Sequence, residues 1–407
     1  MEDPLSELTR RSNAERLMPR EEMLEVARKK SELIIGVPKE IAPEENRVAI
    51  VPDGVTLLTQ HGHQVLVETG AGKASRFPDH EYSEAGAQIV YSPQEVYKAE
   101  LILKVAPPTP EEMELIRPKQ TLISALQMST QKESYFRSLM SKKVTALGFE
   151  LIRDKTMAFP VVRAMSEIAG CTSIFIAAEY LSSPEFGRGK MFGGFTGIGP
   201  SEVVIIGAGT VGEFAARSAL GLGALVKVFD NSVYRLRRLQ NNLGVRVFTS
   251  ILHPKVLHES MKTADVVIGA VHSHGGKSPC LINGEMIKSM KEGSIIIDVS
   301  IDQGGCFETS HPTTHSNPVF KEYGVTHYCV PNIASRVPHT ASQALNNIFV
   351  SVVLTICSEG GIEALIKKDY GVRQGVYLFN GTITNLAVSK IFKLPFQDIE
   401  LLMAAFR

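Results

Sequence analysis

"EVVIIGAGTVGEFAARSALGLGALVKVFD", residues 202–230, decides how the rest of the chain is read. Val203–Ile206 is a short β-branched run that suits a buried strand. Gly207, Gly209 and Gly212 follow, spaced as G-x-G-x-x-G, and small residues Ala215, Ala216 and Ala219 open a helix. The first glycine permits a tight turn, the second lets backbone N–H groups approach a pyrophosphate, and the third lets helix and strand pack closely. The helix N-terminus adds unpaired donors and partial positive charge. The next strand ends in Asp230, whose carboxylate suits two ribose hydroxyls and repels a 2′-phosphate, so NAD is expected over NADP. A lone glycine motif is weak. Strand, helix and terminal acid together make this one specific. Arg235, Arg237 and Arg238 read as a solvated helix face.

Outward from this loop the chain divides into two α/β series. Residues 33–155 alternate strand-like runs ("LIIGVPKE", "QVLVETGAG", "AELILKVAPP", "TLISALQM", "VTALGFELI") with helical segments. That alternation marks βαβ units and a parallel sheet. A long apolar helix, "VVRAMSEIAGCTSIFIAAEYLSS", and a Gly-rich loop lead to the second series, which begins at Glu202 and ends with "SIIIDVS" and "HYCVPN". A further apolar helix, "ASQALNNIFVSVVLTICSEGG", closes it, and the tail to Arg407 reads as helical. The expected fold class is α/β: two Rossmann-like doubly wound domains joined by long helices, with a cleft between them. Such a cleft is a preferred place for small-molecule sites.

Composition narrows the partners. Lys plus Arg equals Asp plus Glu, 43 each, so no net field argues for nucleic acid or an anionic membrane. The first 30 residues have no apolar core of a secretory signal and read as an amphipathic or frayed helical extension. The longest apolar run, "NIFVSVVLTICSEG", is short and interrupted for a bilayer span, so a soluble, cytoplasmic protein is expected. Five scattered cysteines without a C-x-x-C signal neither zinc nor a redox pair and fit a reducing compartment. Cys306 reads as a small apolar filler.

Another stretch also carries chemistry. "IDVSIDQGGC", residues 297–306, sets Asp302 at the end of an apolar strand, before two glycines. An acid there is either a turn cap or a working group, and partial desolvation would raise its pKa.

With these pieces assembled, the chain resembles the alanine dehydrogenase family, related to the α subunit of proton-translocating transhydrogenase. The likeness spans roughly residues 33–390 and rests on "GVPKE…ENRVAIVPDGV", "LILKV", "MSEIAG", "VVIIGAGTVG", "DVSIDQGGCFETSHPTTH" and "YCVPNIASRVPHTAS". It implies an N-terminal extension over 1–32, a substrate domain from 33–160 plus 338–407, and an NAD-binding domain inserted at 161–337. It also implies a homo-oligomer, usually a hexamer, and reversible oxidative deamination of L-alanine to pyruvate and ammonia with NAD.

Residue by residue, the resemblance makes Arg47 the clamp for the substrate carboxylate, chemistry that suits a planar, bidentate guanidinium. Asp302 falls on the aspartate beside the nicotinamide. Ser166, Val271 and Asn332 fall on cofactor contacts. Two positions depart. The second lysine of the family's "KVKEP" is Ala106 here, leaving Lys104 as the remaining candidate. The family histidine is Gln127, which can hydrogen-bond but cannot shuttle a proton. His272 and His274 lie on the loop expected to approach the nicotinamide and are candidates for the missing imidazole. Three readings stay open: an amino-acid dehydrogenase, a catalytically silent NAD-binding homologue, and a transhydrogenase-like carrier of hydride between nucleotides. Asp302 speaks against the last, since transhydrogenase α subunits resemble "QNGGNCE" here.

Overall fold

The computed structural model describes residues 32–273 and 276–405, so the expected N-terminal helix and His274 lie outside the described residues. Two sheets organise the fold. The first holds β1 (Ile34–Val37), β2 (Gln64–Glu68), β3 (Gln88–Val90), β4 (Leu101–Leu103), β5 (Thr121–Ser124), β6 (Thr145–Gly148), and, from the far end of the chain, β14 (Val376–Phe379) and β15 (Thr382–Ile383). The second holds β7 (Glu202–Ile206), β8 (Leu225–Phe229), β9 (Phe248–Ser250), β10 (Val266–Gly269), β11 (Ile295–Asp298), β12 (Val319–Glu322) and β13 (Val325–Tyr328). Their orders are β15-β14-β6-β5-β4-β1-β2-β3 and β12-β13-β11-β10-β7-β8-β9. Pairing is parallel apart from β14 and β15 in one sheet and β12 in the other.

Two expectations are corrected, and one strand not expected from sequence appears. The tail is not all helical: β14 and β15 fall in it, because the continuously buried Val376–Phe379 run pairs with β6 and β15 folds back on it to close the edge of the first sheet. Strand β12 is added by a tight turn through Tyr323 and Gly324, both at positive φ (53° and 77°), which suits a two-residue hairpin. The strand expected to run to Asp302 stops at Asp298, and Val299–Gln303 forms a 3-10 turn.

In each sheet the chain reverses direction of travel at one place, between β1 and β4 and between β7 and β10. Ligands of doubly wound sheets bind outside the carboxyl ends of the strands at such a point. Three helices position these ends: α1 (Pro160–Ser182), α2 (Thr210–Gly221) and α3 (Pro338–Ser358). By length and composition α1 and α3 could each cross a membrane, against the expectation that the apolar run is too short. Here their apolar faces enter two separate cores instead. Ile174, Ala177 and Leu181 of α1 pack beneath the second sheet, and Leu345, Phe349 and Val353 of α3 beneath the first. Polar groups of α3 are spent on the protein as well: Ser342 accepts the Val48 N–H and Asn346 accepts the Val51 N–H.

Candidate active site

The glycine loop adopts the form its spacing predicts. Gly207 lies at φ 109°, and a Cβ there would meet the Ala270 carbonyl at 2.3 Å. A Cβ at Gly212 would meet the Gly207 carbonyl at 1.9 Å, so strand and helix could not approach with any larger residue. A Cβ at Gly209 would meet nothing within 4 Å, and Gly209 caps α2 without a side-chain bond. The space beside Gly209 and the uncapped N–H groups of α2 therefore form an open cradle for an anion. Asp230 is buried at the end of β8, accepting the Ala208 N–H at 2.8 Å and the Ser232 N–H at 2.7 Å. It thus pins the loop and keeps lone pairs for ribose hydroxyls. Arg238 turns back onto the Ala208 carbonyl, and Arg235 stands 3.8 Å from Asp230. These residues fit a dinucleotide.

Of the other expected cofactor positions, Val271 and the helix bearing Ser166 adjoin the glycine loop. Val271 follows β10, and its N–H is held by the Ser300 hydroxyl at 2.9 Å. Ser166 is half-buried on α1, one turn before Gly170, where a Cβ would strike the Val211 carbonyl at 2.5 Å in the first turn of α2. Asn332 takes a left-handed conformation, φ 55°. From there it bridges: its N–H donates to Asp302 at 2.8 Å and its amide to Glu45 at 3.0 Å.

The two aspartates of residues 297–306 divide the roles that sequence left joined. Asp298 is the turn cap. It is 1% exposed and accepts from the N–H groups of Ser300 and Cys306 and from the Ser310 hydroxyl. Asp302 stays open to solvent on one side while protein crowds its other sides. That burial raises its carboxyl above the ordinary range, against the Asn332 N–H and the positive charge of Arg47. Cys306 is fully buried against Asp298, and burial pushes its thiol well up, which suits the filler role.

Arg47 is gripped from its own side of the cleft. Its Nε and Nη2 donate to the two oxygens of Glu45 at 2.7 and 2.6 Å, and Nη1 rests 3.3 Å from Met165 Sδ. Burial opposes the charge, but Glu45, with Glu40 and Asp302 beyond it, holds the guanidinium above its usual pKa. The chain Arg47–Glu45–Asn332–Asp302 therefore links the loop after β1 to the segments that follow β11 and β13 in the second sheet. Sequence reading passed over Glu45, although its position two residues before Arg47 in an extended stretch put both on one side.

Lys104, the lysine that remains beside Ala106, is engaged by two carboxylates. It lies just past β4, 0% exposed, with its ammonium 2.9 Å from Glu40 and 2.7 Å from Glu112. Burial works against its charge, yet those two carboxylates raise its pKa. Glu40 also accepts the Val105 N–H at 2.6 Å, so the family lysine site at Ala106 is walled by a carboxylate that already has partners. Gln127 is exposed at φ 43°, its N–H held by Glu150 at 3.1 Å. His272 is exposed on the loop after β10.

With this geometry in view, comparison with known proteins is informative. A family model described as the alanine dehydrogenase/PNT C-terminal domain matches residues 173–386, and its N-terminal domain counterpart matches residues 36–169. The chain belongs to the alanine dehydrogenase/PNT family. The alanine dehydrogenase of Bacillus subtilis is 41% identical over 359 residues, covering 88% of this chain and 94% of that protein. That of Mycolicibacterium smegmatis is 40% identical over 367 residues, covering 90% and 98%. A solved L-alanine dehydrogenase superposes with a TM-score of 0.84 at 38% identity, over 89% of this chain and 99% of that one. A transhydrogenase from Sinorhizobium meliloti gives 0.74 at 26% identity, over 87% and 99%. The two-domain Rossmann-like fold is that of the family, and the chain is an NAD-dependent oxidoreductase.

Proposed function

We propose that this protein is an amino-acid dehydrogenase of the alanine dehydrogenase kind. The reaction is amino acid plus NAD⁺ plus water giving 2-oxo acid, ammonium, NADH and a proton. The observation that carries the reading is the Arg47–Glu45–Asn332–Asp302 chain, which sets a carboxylate clamp opposite an acid across the cleft beside the glycine cradle. Bound NAD accepts the hydride. Arg47, oriented by Glu45, holds the substrate carboxylate. Asp302, fixed by the Asn332 N–H, handles the proton at the reacting nitrogen or oxygen. Gln127 supplies a hydrogen bond and no titrating group. We assign Lys104 to the wall of the site and not to the substrate. Ser166, Val271, Asn332 and Asp230 are the proposed cofactor contacts, and the sheet composition supports a substrate domain drawn from both chain ends around an inserted NAD domain. Small-molecule substrates, a homo-oligomeric state and a cytoplasmic location complete the reading. Exposed apolar side chains at Phe175, Phe195 and Ile198 support the oligomer.

The test is NADH consumption by the full chain with ammonia and a panel of 2-oxo acids, alongside NADH binding. Turnover upholds the reading. A protein that binds NADH and turns over no 2-oxo acid is the silent homologue instead, which the loss of a lysine at Ala106 and an imidazole at Gln127 favours. Hydride exchange between nucleotides, tested with an NADP-binding partner, would indicate the transhydrogenase-like reading.

A further inference from the structure

A cavity of about 400 Å³ opens beside Arg47. Its walls carry four cations, Lys39, Arg47, Lys73 and Arg76, against two carboxylates, Glu40 and Glu45. Both carboxylates are committed: Glu40 to Lys104 and the Val105 N–H, Glu45 to Arg47 and Asn332. Among the described residues neither Lys73 nor Arg76 has a carboxylate within ion-pairing distance. The cavity thus has more positive charge than the carboxylate of one small 2-oxo acid, held by Arg47, would answer.

The loop bearing these cations is fixed to the clamp. Ser75, between Lys73 and Arg76, donates its hydroxyl to the carbonyl of Asn46 at 2.7 Å, one residue before Arg47. The same hydroxyl lies 2.8 Å from that of Ser342, and the Ser75 carbonyl is 2.9 Å from His339 Nδ1. At the loop's start Thr69 and Gly70 both donate to Asp79. Arg76 sits in the left-handed region, φ 67°, a conformation uncommon for a long side chain and concentrated at ligand clamps. Lys73 and Arg76 are exposed on this hydrogen-bonded loop, and beside Arg47 they present positive potential to an anion entering the cavity.

We infer that the site takes a 2-oxo acid, and the matching amino acid, with a second carboxylate at its far end: Arg47 holds the carboxylate next to the reacting carbon, and Lys73 and Arg76 hold the other. This rests on the dehydrogenase reading and narrows its substrate class. The dehydrogenase equation still balances, since the second carboxylate is carried through unchanged.

The experiment compares pyruvate, oxaloacetate and 2-oxoglutarate as substrates of the full chain with NADH and ammonia. It also titrates 2-oxoglutarate into the NADH-saturated protein by calorimetry. A dicarboxylate should exceed pyruvate in kcat/KM by about tenfold or more, and Lys73→Ala and Arg76→Gly should each cut that preference about tenfold, mainly through KM. Glycine suits the conformation at 76, so loss there is not a folding failure. Equal or better use of pyruvate, with both variants leaving the preference unmoved, overturns the inference while the dehydrogenase reading stands. Displacement of 2-oxoglutarate by equimolar inorganic phosphate also overturns it, marking a general anion site. Should no 2-oxo acid turn over, calorimetry decides alone. Binding of 2-oxoglutarate that is lost in Arg76→Gly upholds the second-carboxylate site and discards the dehydrogenase reading, whereas absence of binding overturns both.

Discussion

Replacing Lys104 by Met separates a structural lysine from a substrate ligand. The ammonium is 0% exposed and lies within 2.9 Å of Glu40 and 2.7 Å of Glu112. Methionine fills much the same volume but leaves two carboxylates facing each other without a cation. Breaking a buried pair by removing one partner costs about 3–5 kcal/mol. Some relief comes from bonds that survive, the Val105 N–H on Glu40 and the Thr109 N–H on Glu112. For a folding unit of this size each kcal/mol is worth about 2–4 °C, so Tm should fall by roughly 6–20 °C near neutral pH. The pH dependence has a definite sign. Burial already raises the Glu40 carboxyl above its usual value, and losing Lys104 raises it further. A carboxyl whose folded pKa is raised loses stability as pH climbs from the unfolded value through the folded one. The deficit of Lys104→Met should therefore be largest near about pH 7.5 and shrink toward about pH 5. Lys104 itself, raised above 10.5, contributes fully at both pH values and gives way only on passing its folded pKa in alkali. Thermal unfolding of wild type and variant at the two pH values, with KM for the best 2-oxo acid, tests all of this. A Tm unchanged within about 2 °C, beside a KM raised about tenfold, would refute the structural assignment.

Four further variants have expected outcomes. Asp302→Asn should lower turnover by about 10²–10⁴-fold while NADH affinity stays within a few-fold, as titration of NADH fluorescence would show. The deamination direction needs the carboxylate form, so its kcat/KM should fall in acid with an apparent pKa above 3.8, and that limb should vanish in the variant. Ala106→Lys with Gln127→His should raise pyruvate turnover about tenfold or more in the steady-state assay, by restoring a cation at the reacting oxygen and a titrating group opposite. No gain would show that the site has been rebuilt for another substrate. Gly209→Ala should leave unfolding unchanged, because a methyl meets nothing within 4 Å, yet weaken NADH about tenfold by filling the cradle. Gly212→Ala, 1.9 Å from a carbonyl, should instead lower stability by about 1–3 kcal/mol, read from urea unfolding.

What was legible in the sequence was local. The glycine loop, its helix and Asp230 are set by residues within one βαβ unit, and turn sterics at Gly207 and Gly212 leave few alternatives. The two α/β series followed from periodicity for the same reason. The strands of the tail were hidden because both are short and β14, on which β15 folds back, finds its partner β6 more than 200 residues earlier. Asp298 and Asp302 share one apolar run, and only the early end of β11 shows that Asp298 caps the turn while Asp302 reaches solvent. Partners of buried charge were illegible altogether. Lys104 meets Glu112 nearby but Glu40 from across the switch point of the first sheet, and no spacing rule joins those positions.

These charge partners also change what the two departures from the family mean. The loss of a lysine at position 106 leaves no orphan, since Glu40, which lies against that position, already has Lys104 and the Val105 N–H as partners. Stability therefore places no demand on residue 106, and an alanine there is a matter of substrate handling. Lys73 and Arg76 are the opposite case. They add positive charge beside Arg47 without an ion pair among the described residues, and Arg76 does so from a left-handed backbone. Mutual repulsion and backbone strain both work against the folded state. A cation withdrawn from the reacting end and two set at the far end amount to one redistribution of charge along the cavity, and it is an anion on the substrate that would make use of it.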